Sequence, residues 1–162
     1  VGMEQVHRKL PLLQKLPHQL IHGDLNASNV LADQNNRITA LLDFEFVAWD
    51  LRVMELAVCL SEAVENSDKG PSEDPSEDSS EDSKGLRALV RGFLEQVPLS
   101  PEELAVLPDL LLLRRLDVFI HFLNRWRNGV DSPQNVRRFL SEVLSQTVWL
   151  SKNSEIRNPF QS

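Results

Sequence analysis

The chain has 162 residues, of which 41% are hydrophobic and 25% are charged, a composition typical of one soluble globular domain rather than of a disordered, fibrous or membrane protein. Its net charge is -7 and no run of Lys or Arg is longer than two residues, which argues against a nucleic-acid partner. Cys59 is the single cysteine, which excludes an internal disulfide, and no apolar signal segment or membrane-spanning run is present, so we expect a cytoplasmic protein with no membrane partner.

The first half of the chain predicts a helix, a hairpin and a second helix. Apolar residues recur at helical spacing from Met3 up to a break at Pro17. Two aliphatic runs, residues 29–32 and 38–42, flank four turn-forming residues, which predicts a β-hairpin. Helical spacing resumes after the hairpin and predicts a helix over residues 50–65.

Residues 66–85 form an acidic segment in which Ser-Glu-Asp occurs three times and no side chain is hydrophobic. Such a segment has nothing to bury, and we expect a disordered surface insertion without a part in the chemistry. We expect residues 1–162 to form a single domain, and the insertion lies within it.

The second half of the chain predicts further helices. Ser100 and Glu103 match a capping box with Pro101 between them, which predicts a helix start. Pro108 predicts a kink or a break in that helix, and Gly129 predicts its end. With a last helix from about residue 133, the sequence predicts an α+β fold that is mainly helical, with a small hairpin packed on a helical bundle.

One group of polar residues surrounds the predicted hairpin. His22, Gly23 and Asp24 precede it, Asn29 follows Asp24 by five residues, and Asp43 lies where the second strand ends. Phosphoryl transfer needs a group that accepts the proton of the attacking hydroxyl, and hard oxygen ligands for Mg2+. An antiparallel hairpin brings its first and last residues to the same edge. The spacing therefore predicts Asp24 as the base and Asn29 and Asp43 as metal ligands.

These residues resemble the C-terminal lobe of the protein-kinase-like small-molecule phosphotransferases, which include aminoglycoside phosphotransferases, choline kinases and type II homoserine kinases. The segments LPHQLIHGDL, LLDFEF and MELAVCLSE are most similar to type II homoserine kinase. The resemblance implies ATP and Mg2+ as cofactors and a small-molecule alcohol as acceptor. Homoserine, an intermediate of threonine biosynthesis, is favoured over choline, a sugar or an aminoglycoside. It also implies that Asp24 is catalytic, that Asn29 and Asp43 bind Mg2+, and that His22 is a structural histidine.

The chain departs from this family in two places. The family has an N-terminal nucleotide-binding lobe with a phosphate-pairing lysine, and nothing before His22 can encode it, since Lys9 and Lys15 lie on a helix. We therefore expect a C-terminal lobe that is inactive alone, with the missing lobe upstream or in another chain. Glu55 occupies the neighbourhood where family members often carry an aspartate.

Three residues have open interpretations at this stage. Glu45 is either an exposed carboxylate or a group that contacts the metal ligands. His22 is either a general base or, by preference, a buried hydrogen-bonding residue. Arg52 is either, by preference, a core or rim residue or a ligand of a substrate carboxylate, because its planar guanidinium suits that group. The alternative function is a non-catalytic module that keeps the fold and binds a partner.

Overall fold

The computed structural model describes residues 2–67 and 80–152. The described residues form five α-helices and four β-strands, and the predicted α+β, mainly helical fold class is confirmed. The elements are, in chain order, α1 (Gly2–Leu13), β1 (His18–Ile21), β2 (Val30–Ala32), β3 (Ile38–Leu41), β4 (Ala48–Leu51), α2 (Arg52–Ser67), α3 (Ser80–Gln96), α4 (Pro101–Arg127) and α5 (Pro133–Lys152). Single-turn 3-10 helices cover Ala27–Asn29 and Phe44–Phe46.

The four strands form two antiparallel pairs. β2 and β3 form the predicted hairpin, with Val30 opposite Leu41. β1 pairs with β4, with His18 opposite Leu51. The sequence pattern does not predict this second pair, because the helical spacing places the end of β4 in the following helix. Its consequence is that the loop after β1 begins beside the strand that leads directly into α2.

The hydrophobic core lies between α2 and α4. Its fully buried large side chains come from one face of each helix, where they recur at helical spacing: Leu56 and Leu60 on α2, and Leu107, Leu110 and Leu111 on α4. Each such side chain contributes about 1.5–3 kcal/mol by leaving water. None of the helices in residues 2–67 and 80–152 combines the length and hydrophobicity that a bilayer span requires.

Helix α4 begins and ends as predicted but continues through its proline. The Ser100 side chain accepts a hydrogen bond from the Glu103 amide and the Glu103 carboxylate accepts one from the Ser100 amide, which is a capping box. Gly129, at φ +73°, follows the last turn. A break at Pro108 is wrong, because α4 runs unbroken from residue 101 to residue 127. Burial of Leu107 and Leu110 on either side holds the helix together despite the missing amide.

The predicted bounds of the acidic insertion are too wide. Residues 66–67 belong to α2 and residues 80–85 belong to α3, so disorder over 66–85 is wrong at both ends. The stripe of Leu86, Leu89, Val90 and Phe93 packs on the core and anchors α3, which extends from there back to Ser80. The rest of the predicted insertion, residues 68–79, lies outside the described residues.

Candidate active site

The loop that follows β1 turns tightly at Gly23. This residue has φ +77°, a conformation that glycine adopts readily and that other residues adopt at a cost. A Cβ atom at this position would lie 2.5 Å from the carbonyl oxygen of Phe46. The loop therefore contacts the Phe44–Phe46 helix so closely that only glycine fits.

His22 connects the same loop to the end of the hairpin. Its side chain is buried and its Nε2 atom donates to the carbonyl oxygen of Leu42 at 2.8 Å. The His22 ring also packs on the Phe44 ring, with 4.9 Å between centroids. These contacts hold the segment that contains Asp43 beside the loop that contains Asp24. Such a geometry supports the structural interpretation of His22 over the general-base one.

Glu55, in the first turn of α2, holds the loop from the opposite side. Its Oε2 atom accepts a hydrogen bond from the His22 amide at 2.5 Å and a longer one from the Gly23 amide at 3.4 Å. Glu55 is buried. A buried carboxylate that accepts backbone amides fixes the path of the chain, because those amides would otherwise lack partners.

Asp24 is surrounded by hydrogen-bond donors. The Nδ2 atom of Asn29 donates to the Asp24 carbonyl oxygen at 2.9 Å and to Oδ2 at 3.1 Å. Asn26 donates to the same carbonyl oxygen at 3.1 Å and to Oδ2 at 3.4 Å. The Nη2 atom of Arg114 donates to Oδ1 at 2.7 Å. The structure thus brings Asp24 and Asn29 together, and it adds Asn26 and Arg114, which the sequence analysis missed.

The backbone pairing of the hairpin places Asn29 and Asp43 near each other. The Leu42 amide donates to the Asn29 carbonyl oxygen at 2.9 Å, so Asp43 directly follows the residue that pairs with Asn29. Asp43 is exposed and has a left-handed backbone, with φ 60° and ψ 70°, and its side chain does not cap the helix that follows. A non-glycine residue held in that region costs free energy, and such residues concentrate at functional sites.

These two residues fit a magnesium ion by their chemistry. The Asn29 amide nitrogen is used by Asp24, which leaves its oxygen, and Asp43 offers an exposed carboxylate. Amide and carboxylate oxygens are ligands that Mg2+ accepts, with phosphates and water completing its shell. Among the described residues there is no group of three or more His, Cys, Asp and Glu side chains placed to bind a metal. The arrangement suits an ion held partly by a nucleotide.

Glu45 and Arg52 are the two other candidate site residues. Glu45 is exposed on the Phe44–Phe46 helix, and its contact with a metal ligand stays a prediction. Arg52 uses its guanidinium in an ion pair, in which Nε donates to Glu103 Oε1 at 2.7 Å and Nη2 to Oε2 at 2.8 Å. Nη2 also donates to the Pro98 carbonyl oxygen at 3.0 Å. Arg52 therefore lies in the α2–α4 contact, and this pairing favours a structural role over that of a substrate ligand.

The ion pair between Arg52 and Glu103 changes the acidity of both groups. Burial by itself would raise the pKa of Glu103, but the hydrogen bonds from Arg52 and from the Ser100 amide outweigh it, and the pKa is lowered. The hydrogen bond to Glu103 raises the pKa of Arg52. Both shifts favour the charged pair, in which the Glu103 side chain is fully buried.

Residues 2–89, more than half of the chain, match the family described as the phosphotransferase enzyme family. The chain belongs to this family. The loop of His22 and Asp24, Asn29 and the Asp43 segment all lie within the matched range. The phosphotransferase assignment agrees with the fold and with the resemblance of the motif.

Two homoserine kinases are similar to this chain over most of its length. A homoserine kinase of Gluconobacter oxydans (strain 621H) is 29% identical over 127 residues, which are 78% of this chain and 37% of the relative. A homoserine kinase of Allorhizobium ampelinum is 32% identical over 146 residues, which are 89% of this chain and 41% of the relative. The chain thus spans about two fifths of the length of these curated relatives.

A solved structure supports the fold. Amicoumacin kinase hAmiN, in complex with AMP-PNP, Ca2+ and Ami, superposes with a TM-score of 0.60 over 90% of this chain and 44% of its own. Its sequence is 21% identical, so the similarity establishes the fold and not the substrate. The chain therefore has the fold of part of this kinase.

Proposed function

We propose that the complete polypeptide containing this chain transfers the γ-phosphoryl group of ATP to the hydroxyl of a small molecule, most favourably homoserine. The observation that carries the proposal is the contact between Asp24 and Asn29 beside the hairpin end that leads to Asp43. The homoserine kinases among the relatives support the acceptor. On this proposal the chain acts in threonine biosynthesis in the cytoplasm.

The proposed mechanism assigns one proton transfer to the chain. A carboxylate oxygen of Asp24 orients the acceptor hydroxyl and takes its proton as the hydroxyl oxygen attacks the γ-phosphorus, while the bond from that phosphorus to the β,γ-bridging oxygen breaks and ADP leaves. Asn29 holds Asp24 in place through both its carbonyl and its carboxylate. Asn29 and Asp43 would hold Mg2+, which neutralises charge on the nucleotide phosphates when bound. Positioning thus accounts for most of the catalysis.

We further propose that a nucleotide-binding lobe, encoded upstream or in another chain, covers the exposed apolar surface around the two strand pairs. Leu20 is 66% exposed, and its cross-strand partner Trp49 is 71% exposed. Ile38 and Phe44 are also exposed. Adjacent exposed apolar side chains such as Leu20 and Trp49 mark interaction surfaces. Because the chain spans about two fifths of its relatives, the 162 residues alone should not turn over.

Phosphate transfer by the complete polypeptide tests the function. Each reaction contains ATP, Mg2+ and one acceptor, namely homoserine, choline, a sugar or an aminoglycoside. 31P NMR follows the products. We expect a phosphomonoester with homoserine. Transfer to none of the acceptors by folded protein would favour the non-catalytic module instead.

A paired substitution tests the metal ligand. Asp43→Asn should weaken Mg2+-dependent nucleotide binding, because a neutral amide replaces the exposed carboxylate. Asp33→Asn is a matched control, since Asp33 follows β2 at the opposite end of the same hairpin. Nucleotide titrations with and without Mg2+ compare the two variants. Equal Mg2+-dependent affinity in both variants would remove Asp43 from the proposed site.

A further inference from the structure

We infer that Arg114 is a positioning residue of the phosphotransfer site, which holds the carboxylate of Asp24 in its reactive orientation. The inference rests on the proposed function of Asp24 as the base. The Nη2 atom of Arg114 lies 2.7 Å from Asp24 Oδ1, a contact between residues 90 positions apart in the sequence. No motif around Arg114 points to this role, so the contact itself is the evidence.

The ion pair between Arg114 and Asp24 is largely buried, so it can fix the orientation of the Asp24 carboxylate. The Arg114 side chain is 11% exposed and that of Asp24 is 21% exposed. A guanidinium with so little access to water needs an anionic partner. Asp117 Oδ2 lies 3.8 Å from Nη1, beyond hydrogen-bonding distance, and its side chain is 73% exposed. Asp24 is therefore the principal partner of Arg114 among the described residues.

Arg114 lies on a helix that is packed into the hydrophobic core. It lies near the middle of α4, one turn after Leu110 and Leu111, which are fully buried in the core. A side chain on such a helix has a fixed point of origin, whereas the loop of Asp24 has no regular secondary structure between Ile21 and Ala27. The ion pair thus connects the reactive carboxylate to a side chain that a core helix supports.

The two carboxylate oxygens of Asp24 are held by different donors. Arg114 donates to Oδ1, and Asn29 donates to Oδ2 at 3.1 Å. Two fixed oxygens define the plane of the carboxylate, whereas one leaves it able to rotate. Oδ2 also accepts a longer hydrogen bond from Asn26 at 3.4 Å, whereas Oδ1 keeps a second lone pair that can accept the proton. Without Arg114 the base should sample unproductive orientations.

Substitution of Arg114 in the complete polypeptide tests the role. Arg114→Ala should lower kcat by about 10- to 100-fold, because a small misplacement of a reactive group costs rate on this order. The KM for ATP should change much less, since Arg114 contacts the base and none of the proposed metal ligands. Arg114→Lys should recover part of kcat, because it keeps the charge but not the planar fork. Added guanidinium ion should raise kcat of Arg114→Ala and leave Asp24→Ala inactive.

Arg125→Ala is the matched control. Arg125 lies on the same helix and is also paired with a carboxylate, that of Asp131, but it makes no contact with the loop of Asp24. Its kcat should stay at the wild-type value. Circular dichroism establishes that each variant is folded, and the Lys variant serves if the Ala variant is not.

The outcomes separate this inference from the proposed function. An active wild type with an unchanged kcat in both Arg114 variants would overturn the positioning role and leave the function intact. A higher kcat in Arg114→Ala would also overturn it, because the contact would then restrain Asp24 from reacting. A folded wild type without transfer activity would overturn the function and the positioning role together.

Discussion

The Glu55 carboxylate accepts a hydrogen bond from the His22 amide at 2.5 Å, and this contact joins the first turn of α2 to the loop of Asp24. Glu55→Ala should therefore lower the free energy of unfolding by about 1–3 kcal/mol, the cost of leaving buried amides without an acceptor. Urea denaturation measures the change. Glu55→Gln is the control, because its amide oxygen can still accept from His22 and should restore part of the stability.

Gly23 offers a second test of the loop geometry. Gly23→Ala places a Cβ atom 2.5 Å from the Phe46 carbonyl oxygen at a residue with φ +77°. The Phe44–Phe46 segment must move away, so we expect lower stability and loss of any transfer activity. Gly92→Ala is the matched control, since a Cβ there meets nothing within 4 Å. A Gly23→Ala variant that melts and reacts like the wild type would contradict the described loop.

The ion pair between α2 and α4 predicts a third effect. Arg52→Ala leaves the Glu103 carboxylate buried without its principal partner, and the free energy of unfolding should fall by roughly 3 kcal/mol. Substrate KM should be unaffected, in contrast to the interpretation of Arg52 as a substrate ligand. Thermal melting and transfer kinetics of the same variant measure the two quantities. A large rise in acceptor KM at normal stability would restore the substrate-binding role.

The same pair predicts how stability depends on pH. The pKa of Glu103 in the folded protein lies below the ordinary value of 4.5, so the unfolded chain binds more protons as the pH falls. The contribution of Glu103 is fully present above 4.5 and is lost as the pH falls through the lower folded value. Urea denaturation between pH 7 and about 3 should show a steeper acid loss in the wild type than in Glu103→Gln. If the free energy of unfolding falls equally with pH in both proteins, Glu103 does not contribute to the acid loss of stability.

Cys59 should be chemically inert in the folded chain. Burial, with a smaller effect from the Glu55 charge, raises the pKa of the Cys59 thiol to about 12. Thiolate is the reactive form, so at pH 8 almost none is present and the buried side chain is shielded. Iodoacetamide should label Cys59 in urea and not in native buffer, as followed by mass spectrometry. Rapid native labelling would show that α2 opens at this residue.

Local patterns in the sequence predicted much of this molecule. The hairpin, the start of α4 at Ser100 and its end before Gly129 each depend on neighbouring residues, which a single sequence displays. The motif of Asp24 and Asn29 is also local, because five residues separate them, although the hydrogen bond between the two was not predicted. Turn residues, a capping box and a glycine each favour one local backbone structure.

Contacts between distant residues were not predictable in this way. Arg114 lies 90 positions from Asp24, and Arg52 lies 51 positions from Glu103. Nothing in the local sequence distinguishes an arginine that pairs with a loop from one that faces water. The β1–β4 pair was missed for the same reason, since β4 is short and continues directly into α2. Packing overrode the helix-breaking tendency of Pro108.

The most direct test of the account compares wild type and Asp24→Ala in the complete polypeptide, with ATP, Mg2+ and homoserine. 31P NMR detects the phosphomonoester and circular dichroism verifies folding. We predict transfer by the wild type and none by folded Asp24→Ala, because the variant lacks the group that accepts the hydroxyl proton. Equal rates in the two proteins would contradict the assignment of Asp24 and, with it, the proposed mechanism.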